Sequence, residues 1–518
     1  MRVSSEQFNA PDARASVVFR LDASAHIGSG HLMRCLALAA VLKERGADCA
    51  FLLRPSANPW AEQVRAAGHV LYWLPEPDGA MTEPDAPPQA DWLGTSQAAD
   101  ARECQALLRD RPRPDWLVVD HYALDARWER ALRPAVGRIL VIDDLADRPH
   151  ECDLLLDQNF QDPLLGDRYA SLLPSTARSL LGPRYALLRK EFVRQSATDL
   201  PDCRRPVRHV LVCFGGVAQQ DITLRCVRVL ASLPGLTATV IAPQTMHADL
   251  QVAAHPGLSL RLLPHTDRMA ALMRSCDLAI GAGGGMLWER FSQGLPGLVL
   301  GVADNQRPGI AALLQGGLVC GHPDADALDD DDLRALLRGL LRMDELRAGQ
   351  ARRAAALVDG QGAARTARRL LQPSLQFRRA SAADAEALFE WRNHPDVRRF
   401  SHDDRPLERA SHERWFAQVL SNPQRCLLIG QLDGTPVGVA RFDLSESSAL
   451  ISVYLAPDHL GSGFGPPLIN QACEWLQGQH PEVRQIHAEI QNRNAASLAA
   501  FATAGFQPHA QTLIRIQE

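Results

Sequence analysis

The sequence predicts an α/β protein in which two tandem Rossmann-like domains precede a third domain. Its 518 residues exceed what one hydrophobic core usually supports. Short apolar runs alternate with helical patterns up to about residue 371, as in parallel sheets whose strands are buried on both faces. The linker Gln372-Pro373-Ser374 then separates a new pattern. We expect domains at 15–190, 191–372 and 375–518, after a disordered segment over 1–14.

Each predicted strand of the first two domains is a short apolar run. The runs are 17–21, 50–53, 116–119 and 139–142 in the first domain, and 209–214, 238–241, 278–280 and 297–300 in the second. Helices over 333–341, 344–357 and 363–371 are predicted to close the region. The acidic run 329–332 is interpreted as the N-cap of the first of these helices, not as a metal site. Ligands of such sheets gather at the carboxyl ends of the strands, so we expect a cleft between the two domains.

Composition narrows the class of protein. A net charge of −5 argues against nucleic acid or an anionic membrane as the main partner. No apolar stretch approaches the roughly 20 residues of a membrane span, and the N-terminus has no apolar signal core. Eleven cysteines occur without a Cys-x-x-Cys pair. We therefore expect a cytoplasmic protein with reduced cysteines and no metal.

Residues 26–34, His-Ile-Gly-Ser-Gly-His-Leu-Met-Arg, carry the strongest functional signal. They lie where the strand over 17–21 gives way to a helix. Gly28 and Gly30 allow a tight turn and close approach to a ligand. The helix N-terminus favours an anion, and His31 at that position can accept a proton near neutral pH. The alternative role for His31 is helix capping. His26 is interpreted as a loop residue.

This stretch resembles the UDP-sugar hydrolases of pseudaminic acid biosynthesis. The resemblance covers about residues 15–370. Its matching motifs are Phe19-Arg20-Leu21-Asp22-Ala23-Ser24, Ile27-Gly28-Ser29-Gly30-His31 with Arg34, Asp120-His121-Tyr122, Asp143-Asp144, residues 153–155, residues 182–189 with Glu191-Phe192, Phe214-Gly215-Gly216, residues 281–289 and Asp304-Asn305-Gln306. It implies the glycosyltransferase-B fold and hydrolysis of UDP-2,4-diacetamido-2,4,6-trideoxy-β-L-altropyranose, without a metal. It also implies that His31 is the general base, aligning water for inversion at C1.

The same resemblance implies the remaining residues of this site. Those expected at the sugar are Arg20, Asp22, Gly30, Arg34, His121 and Tyr122; those expected at the nucleotide are Gly283, Gly284, Gly285, Glu289, Asn305 and Gln306. Glycine-loop amides would hold the diphosphate, and Glu289 would accept the ribose hydroxyls. The alternatives are packing roles for His121 and Tyr122 and a solvated helix position for Glu289.

Residues 375–518 resemble the GCN5-related N-acetyltransferases, an α+β family. The motifs are a strand over 450–455, the turn Leu460-Gly461-Ser462-Gly463-Phe464-Gly465 before an apolar helix, a strand over 485–490, and the spaced residues Asn494, Ser497, Phe501 and Gly505-Phe506. The resemblance implies acetyl-CoA as co-substrate, bound through Leu455, Gly461, Gly463, Phe464, Gly465, Asn494, Ser497 and Phe501.

Three features of the third domain depart from that family's pattern. Leu460 replaces the usual Gln or Arg, and Pro466 with Pro467 removes two N–H donors from the anion-binding turn. Phe501 occupies the place where many relatives have a proton-donating Tyr. His487 and Glu489 are candidate bases for the acceptor amine, with ordinary strand positions as the alternative.

Together the two resemblances imply consecutive reactions on one chain. The third domain would acetylate the 4-amino group of a UDP-sugar, and the first two would hydrolyse the product. Neither nucleic acid nor a membrane is expected as a partner. One alternative is a glycosyltransferase that uses the same cleft with a UDP-sugar donor. The other is a non-catalytic C-terminal domain that only binds a nucleotide sugar or CoA. An acceptor requirement for UDP release would favour the transferase.

Overall fold

The computed structural model describes residues 14–509 except 25, 78, 80–84, 162–165, 195–199, 216–218, 255, 401–404 and 433. Residues 1–13 of the predicted N-terminal segment lie outside the described residues. The chain divides into two compact units, Met1–Leu371 and Gln372–Glu518.

The first sheet of the larger unit has seven parallel strands in the order β3-β2-β1-β4-β5-β6-β7. Its strands are β1 (Ser16–Leu21), β2 (Asp48–Leu53), β3 (Val70–Trp73), β4 (Trp116–Asp120), β5 (Arg138–Ile142), β6 (Leu154–Asp157) and β7 (Arg178–Leu181), and its helices are α1 (Gly30–Glu44), α2 (Asn58–Ala66), α3 (Gln97–Arg109) and α4 (Ala126–Leu132). The central strands β1 and β4 are almost fully buried because hydrophobic clusters cover both faces. All four predicted strands are confirmed, each with one or two extra terminal residues.

The second sheet has six parallel strands in the order β10-β9-β8-β11-β12-β13. Its strands are β8 (His209–Cys213), β9 (Thr237–Ile241), β10 (Ser259–Leu263), β11 (Leu278–Gly281), β12 (Gly297–Leu300) and β13 (Cys320–His322), and its helices are α5 (Gln220–Ala231), α6 (His247–Ala254), α7 (Met269–Arg274), α8 (Gly285–Ser292), α9 (Arg307–Gln315), α10 (Asp330–Arg342) and α11 (Asp344–Leu357). The last helix of the larger unit is α12 (Gly362–Leu371). Asp329 caps α10 in a capping box with Asp332, as predicted for the acidic run.

Helix α12 packs on the first Rossmann-like domain, although it lies within the range 191–372 predicted for the second. Its buried residues Ala363, Ala367 and Leu370 belong to the hydrophobic core of the first sheet, where α12 packs against α1. The Trp116 indole N–H also donates to the Leu370 carbonyl over 2.8 Å. The chain therefore returns to the first domain before it enters the second unit. Sequence proximity alone had assigned this helix to the second domain.

The smaller unit is an α+β domain. Its five strands run in the order β14-β15-β16-β17-β18, antiparallel except for the parallel pair β17–β18. The strands are β14 (Gln376–Arg379), β15 (Arg425–Leu432), β16 (Thr435–Ser445), β17 (Ser448–Leu455) and β18 (Gln485–Ala488), and the helices are α13 (Ala385–Asn393), α14 (Pro395–Arg398), α15 (Arg409–Ser421), α16 (Gly465–Gln479) and α17 (Ala495–Thr503). Helix α16 packs on one face of the sheet, and α13 with α15 on the other.

The cysteines and the possibility of a membrane-spanning helix were both considered in the sequence analysis. All eleven cysteines are free thiols, and most are buried. Among the described residues, no helix is long and apolar enough to cross a membrane.

Candidate functional site

The first candidate site lies where the strand order of the first sheet reverses, between β1 and β4. Ligands of α/β proteins bind at this position because the loops on either side diverge. The loop after β1 turns at Gly28, whose φ of +81° lies in the left-handed region that favours glycine. Gly30 instead occupies the first position of α1 with open space around it. The tight turn depends on Gly28, whereas Gly30 leaves room at the helix N-terminus.

His31 is held by Asp120, the last residue of β4. The His31 Nδ1 atom lies 2.5 Å from Asp120 Oδ1, and both side chains are nearly buried. Arg34 donates to both oxygens of the same carboxylate, from Nε over 2.7 Å and from Nη2 over 2.6 Å. Burial raises the pKa of Asp120, but the charge and hydrogen bonds of Arg34 and His31 outweigh it and hold the pKa well below its usual value.

The ionised Asp120 fixes the tautomer of His31. A carboxylate only accepts hydrogen bonds, so Nδ1 of His31 carries the proton. Nε2 is then the lone-pair nitrogen, and the described residues provide no hydrogen-bond partner for it. An imidazole held in this way is a competent general base for a water molecule. Sequence reasoning missed Asp120 as a site residue, although its position at the end of a buried strand beside His121 was a usable signal.

Aromatic side chains surround the dyad of His31 and Asp120. The Tyr122 ring lies edge-on to the His31 ring at 4.8 Å between centroids. Trp92 lies 5.5 Å from Tyr122 and 6.4 Å from His31, and 5.9 Å from the loop residue His26. The Tyr122 hydroxyl donates to Asp144 over 2.6 Å, and Asp144 also pairs with Arg34 at 3.3 Å. Trp92 belongs to no sequence motif, so no sequence signal could have indicated it.

Arg20 lies below this site instead of facing the sugar as predicted. Its guanidinium is completely buried and donates to Asp100 over 2.6 and 3.2 Å, with Asp22 2.9 Å away. The carboxylates of Asp100 and Asp22 neutralise the charge of Arg20. The buried Arg20 side chain is therefore not available for the contact with substrate that was predicted for it. Arg20 instead positions Asp22, whose second oxygen accepts from the Arg54 backbone N–H over 2.9 Å.

His121 is also buried and next to Asp22. The Ala123 N–H donates to His121 Nδ1 over 3.1 Å, so the His121 proton is on Nε2, 3.3 Å from Asp22 Oδ2. Burial lowers the pKa of His121, with Asp22 opposing the shift. A neutral, buried His121 fits the packing alternative better than direct ligand contact.

The second candidate site lies at the equivalent point of the second sheet, between β8 and β11. Gly283 and Gly284 connect β11 to α8, and Gly285 begins the helix. The Gln306 side-chain oxygen accepts from the Gly283 N–H over 3.3 Å. A Cβ on Gly283 would lie 2.6 Å from Ile310, so only glycine fits there. Gln306 thus holds the loop, while Asn305 is exposed.

Glu289 lies one turn into α8 beside two charged residues. Its carboxylate is 3.7 Å from Arg189, which pairs more closely with Glu191 at 3.0 Å. Burial raises the pKa of Glu289 to about 7, with Arg189 opposing the shift and Glu191 adding to it. Its side chain keeps one-fifth of its surface exposed. The Glu289 carboxylate lies near the glycine loop and has only one arginine beside it, at 3.7 Å. It can therefore accept hydrogen bonds from hydroxyl groups of a ligand.

In the smaller unit, the glycine turn precedes α16 as predicted. Gly461 and Gly463 have φ of +76° and +80°, which other residues rarely adopt. Phe464 is the N-cap of α16, followed by Gly465, Pro466 and Pro467 in its first turn. Leu455, at the end of β17, packs with Phe464 in a small hydrophobic cluster. The prolines break no helical hydrogen bond, because first-turn N–H groups have no partner within a helix.

The three remaining residues expected at the cofactor, Asn494, Ser497 and Phe501, have structural roles. Asn494 caps α17, its side chain accepting from the Ser497 N–H over 3.0 Å. Phe501 is 5% exposed and packs edge-on against Phe506. Phe501 therefore belongs to the hydrophobic core, which corrects its prediction as a direct cofactor contact. Among the described residues, no group of His, Cys, Asp and Glu side chains has the arrangement of a metal site.

Comparisons with known proteins concern both compact units. Residues 374–507 match the model of the acetyltransferase (GNAT) domain. The smaller unit is a GNAT domain. The chain is also 25% identical over 268 residues to UDP-2,4-diacetamido-2,4,6-trideoxy-beta-L-altropyranose hydrolase of Campylobacter jejuni, covering 51% of this chain and 83% of the relative. The larger unit is a homologue of that hydrolase.

Two further comparisons concern the larger unit. The spore coat polysaccharide biosynthesis protein SpsG of Bacillus subtilis is 24% identical over 188 residues, covering 35% of this chain and 54% of the relative. The crystal structure of MurG from Acinetobacter baumannii superposes with a TM-score of 0.51 at 15% identity, over 69% of this chain and 99% of that chain. This likeness establishes the fold alone: two Rossmann-like domains of the glycosyltransferase-B type. The predicted fold class is thereby confirmed.

Proposed function

We propose that the chain is a bifunctional enzyme that acts on one UDP-sugar in two steps. The GNAT domain transfers acetyl from acetyl-CoA to the 4-amino group of UDP-4-amino-4,6-dideoxy-N-acetyl-β-L-altrosamine. The larger unit then hydrolyses the resulting UDP-2,4-diacetamido-2,4,6-trideoxy-β-L-altropyranose to the free sugar and UDP. The homology to the Campylobacter hydrolase and the GNAT domain support this pairing. The observation that carries the hydrolase assignment is the dyad of His31 and Asp120.

In the hydrolytic step, Nε2 of His31 takes a proton from water as the water oxygen attacks C1. The bond between C1 and the oxygen of the β-phosphate breaks, and UDP leaves with the bonding electrons. Attack opposite the leaving group inverts the configuration at C1. Asp120 stabilises the imidazolium that forms, and Arg34 keeps Asp120 ionised. The loop of Gly283, Gly284 and Gly285 with the N-terminus of α8 holds the departing diphosphate, and Glu289 accepts the ribose hydroxyls.

The aromatic side chains of Trp92 and Tyr122 fit the sugar in this proposal. A trideoxy sugar with two acetamido groups has more apolar surface than an ordinary hexose. Aromatic faces pack well against such surface and release ordered water. The rings lie within 6.4 Å of His31, so they border the point at which C1 must lie. They are expected to orient the sugar without taking part in bond breaking.

The test is UDP release followed by phosphorus NMR with the full chain. With the 4-amino UDP-sugar, UDP should form only when acetyl-CoA is present, and no sugar acceptor should be required. With the diacetamido UDP-sugar, UDP should form without acetyl-CoA. A requirement for an added acceptor alcohol would overturn the hydrolase assignment in favour of a glycosyltransferase.

His31→Ala supplies the residue-level test, with His26→Ala as its matched control. Both remove an imidazole from the same short segment, but His26 is exposed and lacks the Asp120 contact. His31→Ala should lower the hydrolytic rate by about 10²–10⁴-fold, the usual contribution of a general base. His26→Ala should stay within about threefold of the wild type, and UDP binding should be retained in both. Equal losses in the two variants would exclude His31 as the base.

A further inference from the structure

The loop after β5 presents Asp144 to the first candidate site. Strand β5 ends at Ile142, so Asp144 lies at the carboxyl end of the first sheet. One oxygen of the Asp144 carboxylate accepts from the Tyr122 hydroxyl over 2.6 Å, and the other lies 3.3 Å from Arg34 Nη1. The Asp144 side chain is 14% exposed. Asp144 therefore connects two of the residues that surround His31.

The loop that carries Asp144 is held in one conformation. Ala146 has a φ of +52°, in the left-handed region that costs an alanine conformational energy. The Ala146 N–H donates to the Asp143 side chain over 2.9 Å. The Leu145 carbonyl accepts from Arg168 over 2.6 Å. These contacts keep the strained alanine in place, and strain of this kind is typical of loops that position functional groups.

Five side chains form a closed ring that includes the general base. Asp120 contacts His31 at 2.5 Å and accepts from Arg34. Arg34 reaches Asp144, which accepts from Tyr122. The Tyr122 ring returns to His31, edge-on at 4.8 Å between ring centroids. The ring joins α1, the end of β4 with its following loop, and the loop after β5, so each member is held by two others.

The two contacts of Asp144 differ in weight. Arg34 already donates to Asp120 over 2.6 and 2.7 Å, so its longer contact with Asp144 adds little. Among the described residues, the Tyr122 hydroxyl has Asp144 as its one hydrogen-bond partner. Burial raises the pKa of Tyr122 and the charge of Asp144 raises it further, so the hydroxyl keeps its proton and donates it. Asp144 therefore acts mainly on Tyr122.

His31 needs a second contact because Asp120 fixes only one atom of its imidazole. A single hydrogen bond at Nδ1 leaves the imidazole free to swing about that contact, and the swing displaces Nε2. The Tyr122 ring packed against the imidazole restricts this motion. A base must lie within about 2.6–3.2 Å of the atom whose proton it takes, so a small displacement is enough to slow the reaction.

We propose that Asp144 is a positioning residue of the hydrolytic step: through the Tyr122 hydroxyl it holds the Tyr122 ring against His31 and so aims Nε2 at the attacking water. This inference rests on the proposed function, because it concerns the same base. Asp144 exchanges no proton with the water or the sugar in this role. Its loss should therefore change kcat and leave KM unchanged, since the expected nucleotide ligands lie in the second Rossmann-like domain.

The kinetic test compares Asp144→Ala with Asp147→Ala as matched control, with the full chain, the diacetamido UDP-sugar as substrate and UDP release as the readout. Both variants remove a carboxylate from the same loop, but Asp147 pairs with Arg148, at 2.8 Å. Asp144→Ala should lower kcat by about 10–100-fold, the loss expected for one hydrogen bond to a charged group, with KM within about threefold. Asp147→Ala should keep both constants within about threefold of the wild type.

Two further variants separate orientation from charge. Asp144→Asn loses the charge but keeps an oxygen that accepts from the Tyr122 hydroxyl, so kcat should recover to within about fivefold of the wild type. Tyr122→Phe keeps the ring but loses the hydroxyl, so kcat should fall as in Asp144→Ala. The double variant should be no slower than either single variant, because both substitutions remove the same hydrogen bond.

Several kinetic outcomes would overturn the inference. A kcat of Asp144→Ala within about threefold of the wild type, or a loss equal to that of Asp147→Ala, would mean that Asp144 has no specific role. A rise in KM with an unchanged kcat would make Asp144 a substrate ligand. If Asp144→Asn is as slow as Asp144→Ala, the charge matters and not the hydrogen bond. Losses that multiply in the double variant would mean that Asp144 does not act through Tyr122.

NMR of the His31 ring separates this inference from the proposed function, because it needs no substrate. The His31 ring resonances of the full chain are identified by their loss in His31→Ala. Asp144→Ala should shift and broaden them, since the Tyr122 ring no longer packs in one position, whereas Asp147→Ala should leave them unchanged. Unchanged resonances in Asp144→Ala would overturn the inference whichever reaction the site performs. An acceptor requirement for UDP release, together with the expected shifts, would refute the hydrolase assignment and support the role of Asp144.

Discussion

Replacing Asp120 by Asn tests how the hydrolytic base is held. The Asp120 oxygens accept three short hydrogen bonds: from His31 Nδ1 at 2.5 Å and from Arg34 at 2.6 and 2.7 Å. An asparagine has one acceptor oxygen and one amide group that donates. In one orientation the amide faces Arg34 Nε, which also donates. In the other it faces both Arg34 Nη2, which donates, and His31 Nδ1, which must then give up its proton.

The second orientation moves the His31 proton to Nε2, where it blocks proton abstraction from water. We expect kcat for UDP release to fall by about 10²–10⁴-fold, the range for a general base in the wrong tautomer. Loss of a buried ionic partner should also lower the free energy of unfolding by about 3 kcal/mol. Arg34 keeps a contact with Asp144 at 3.3 Å, which limits the loss.

The assay combines the rate of UDP release, the dissociation constant of UDP and thermal unfolding. Asp153→Asn is the matched control. Asp153 also pairs with an arginine, Arg133, but it precedes β6 and so lies at the amino ends of the strands, whereas Asp120 lies at the carboxyl ends. That variant should keep its kcat. If Asp120→Asn lowers thermal stability but leaves kcat within about threefold of wild type, Asp120 only anchors Arg34 and the orientation argument is refuted.

Three other predictions concern binding. Trp92→Ala should raise KM for the diacetamido UDP-sugar about tenfold with kcat within threefold, whereas Trp92→Phe should keep most of the affinity; a fall in kcat alone would contradict a binding role. Because ribose hydroxyls favour the ionised form of Glu289, whose pKa is raised to about 7, UDP should bind up to about tenfold more weakly at pH 6 than at pH 7.5. When the dissociation constant of UDP is measured by calorimetry on Glu289→Gln, its pH dependence should reflect only the titration of UDP itself. Replacing Pro466 and Pro467 by Ala restores two N–H groups, so KM for acetyl-CoA should fall about 3–10-fold; no change would mean that the turn alone binds the pyrophosphate.

The sequence predicted four of the seven strands of the first sheet and four of the six strands of the second, because parallel strands buried on both faces must be apolar throughout. It also located His31, since a glycine turn between a strand and a helix is a local feature. It could not predict that α12 returns to the first sheet, because the return depends on which hydrophobic surface remains uncovered. Arg20 was misplaced for a similar reason: a charged residue beside a cleft motif gives no sign of the distant Asp100 that neutralises it.

By itself, the amino-acid sequence determined the order of most elements and the chemical groups that each motif carries. These follow from periodicity, turn residues and short motifs, which act over a few neighbouring residues. Only the tertiary structure decided which groups meet. Asp120 reaches His31 across 89 positions of the chain, and Trp92 joins Tyr122 although no motif contains it. Long-range contacts of this kind depend on strand order and packing, because hydrogen bonds and charges act over a few ångströms of space whatever the separation along the chain.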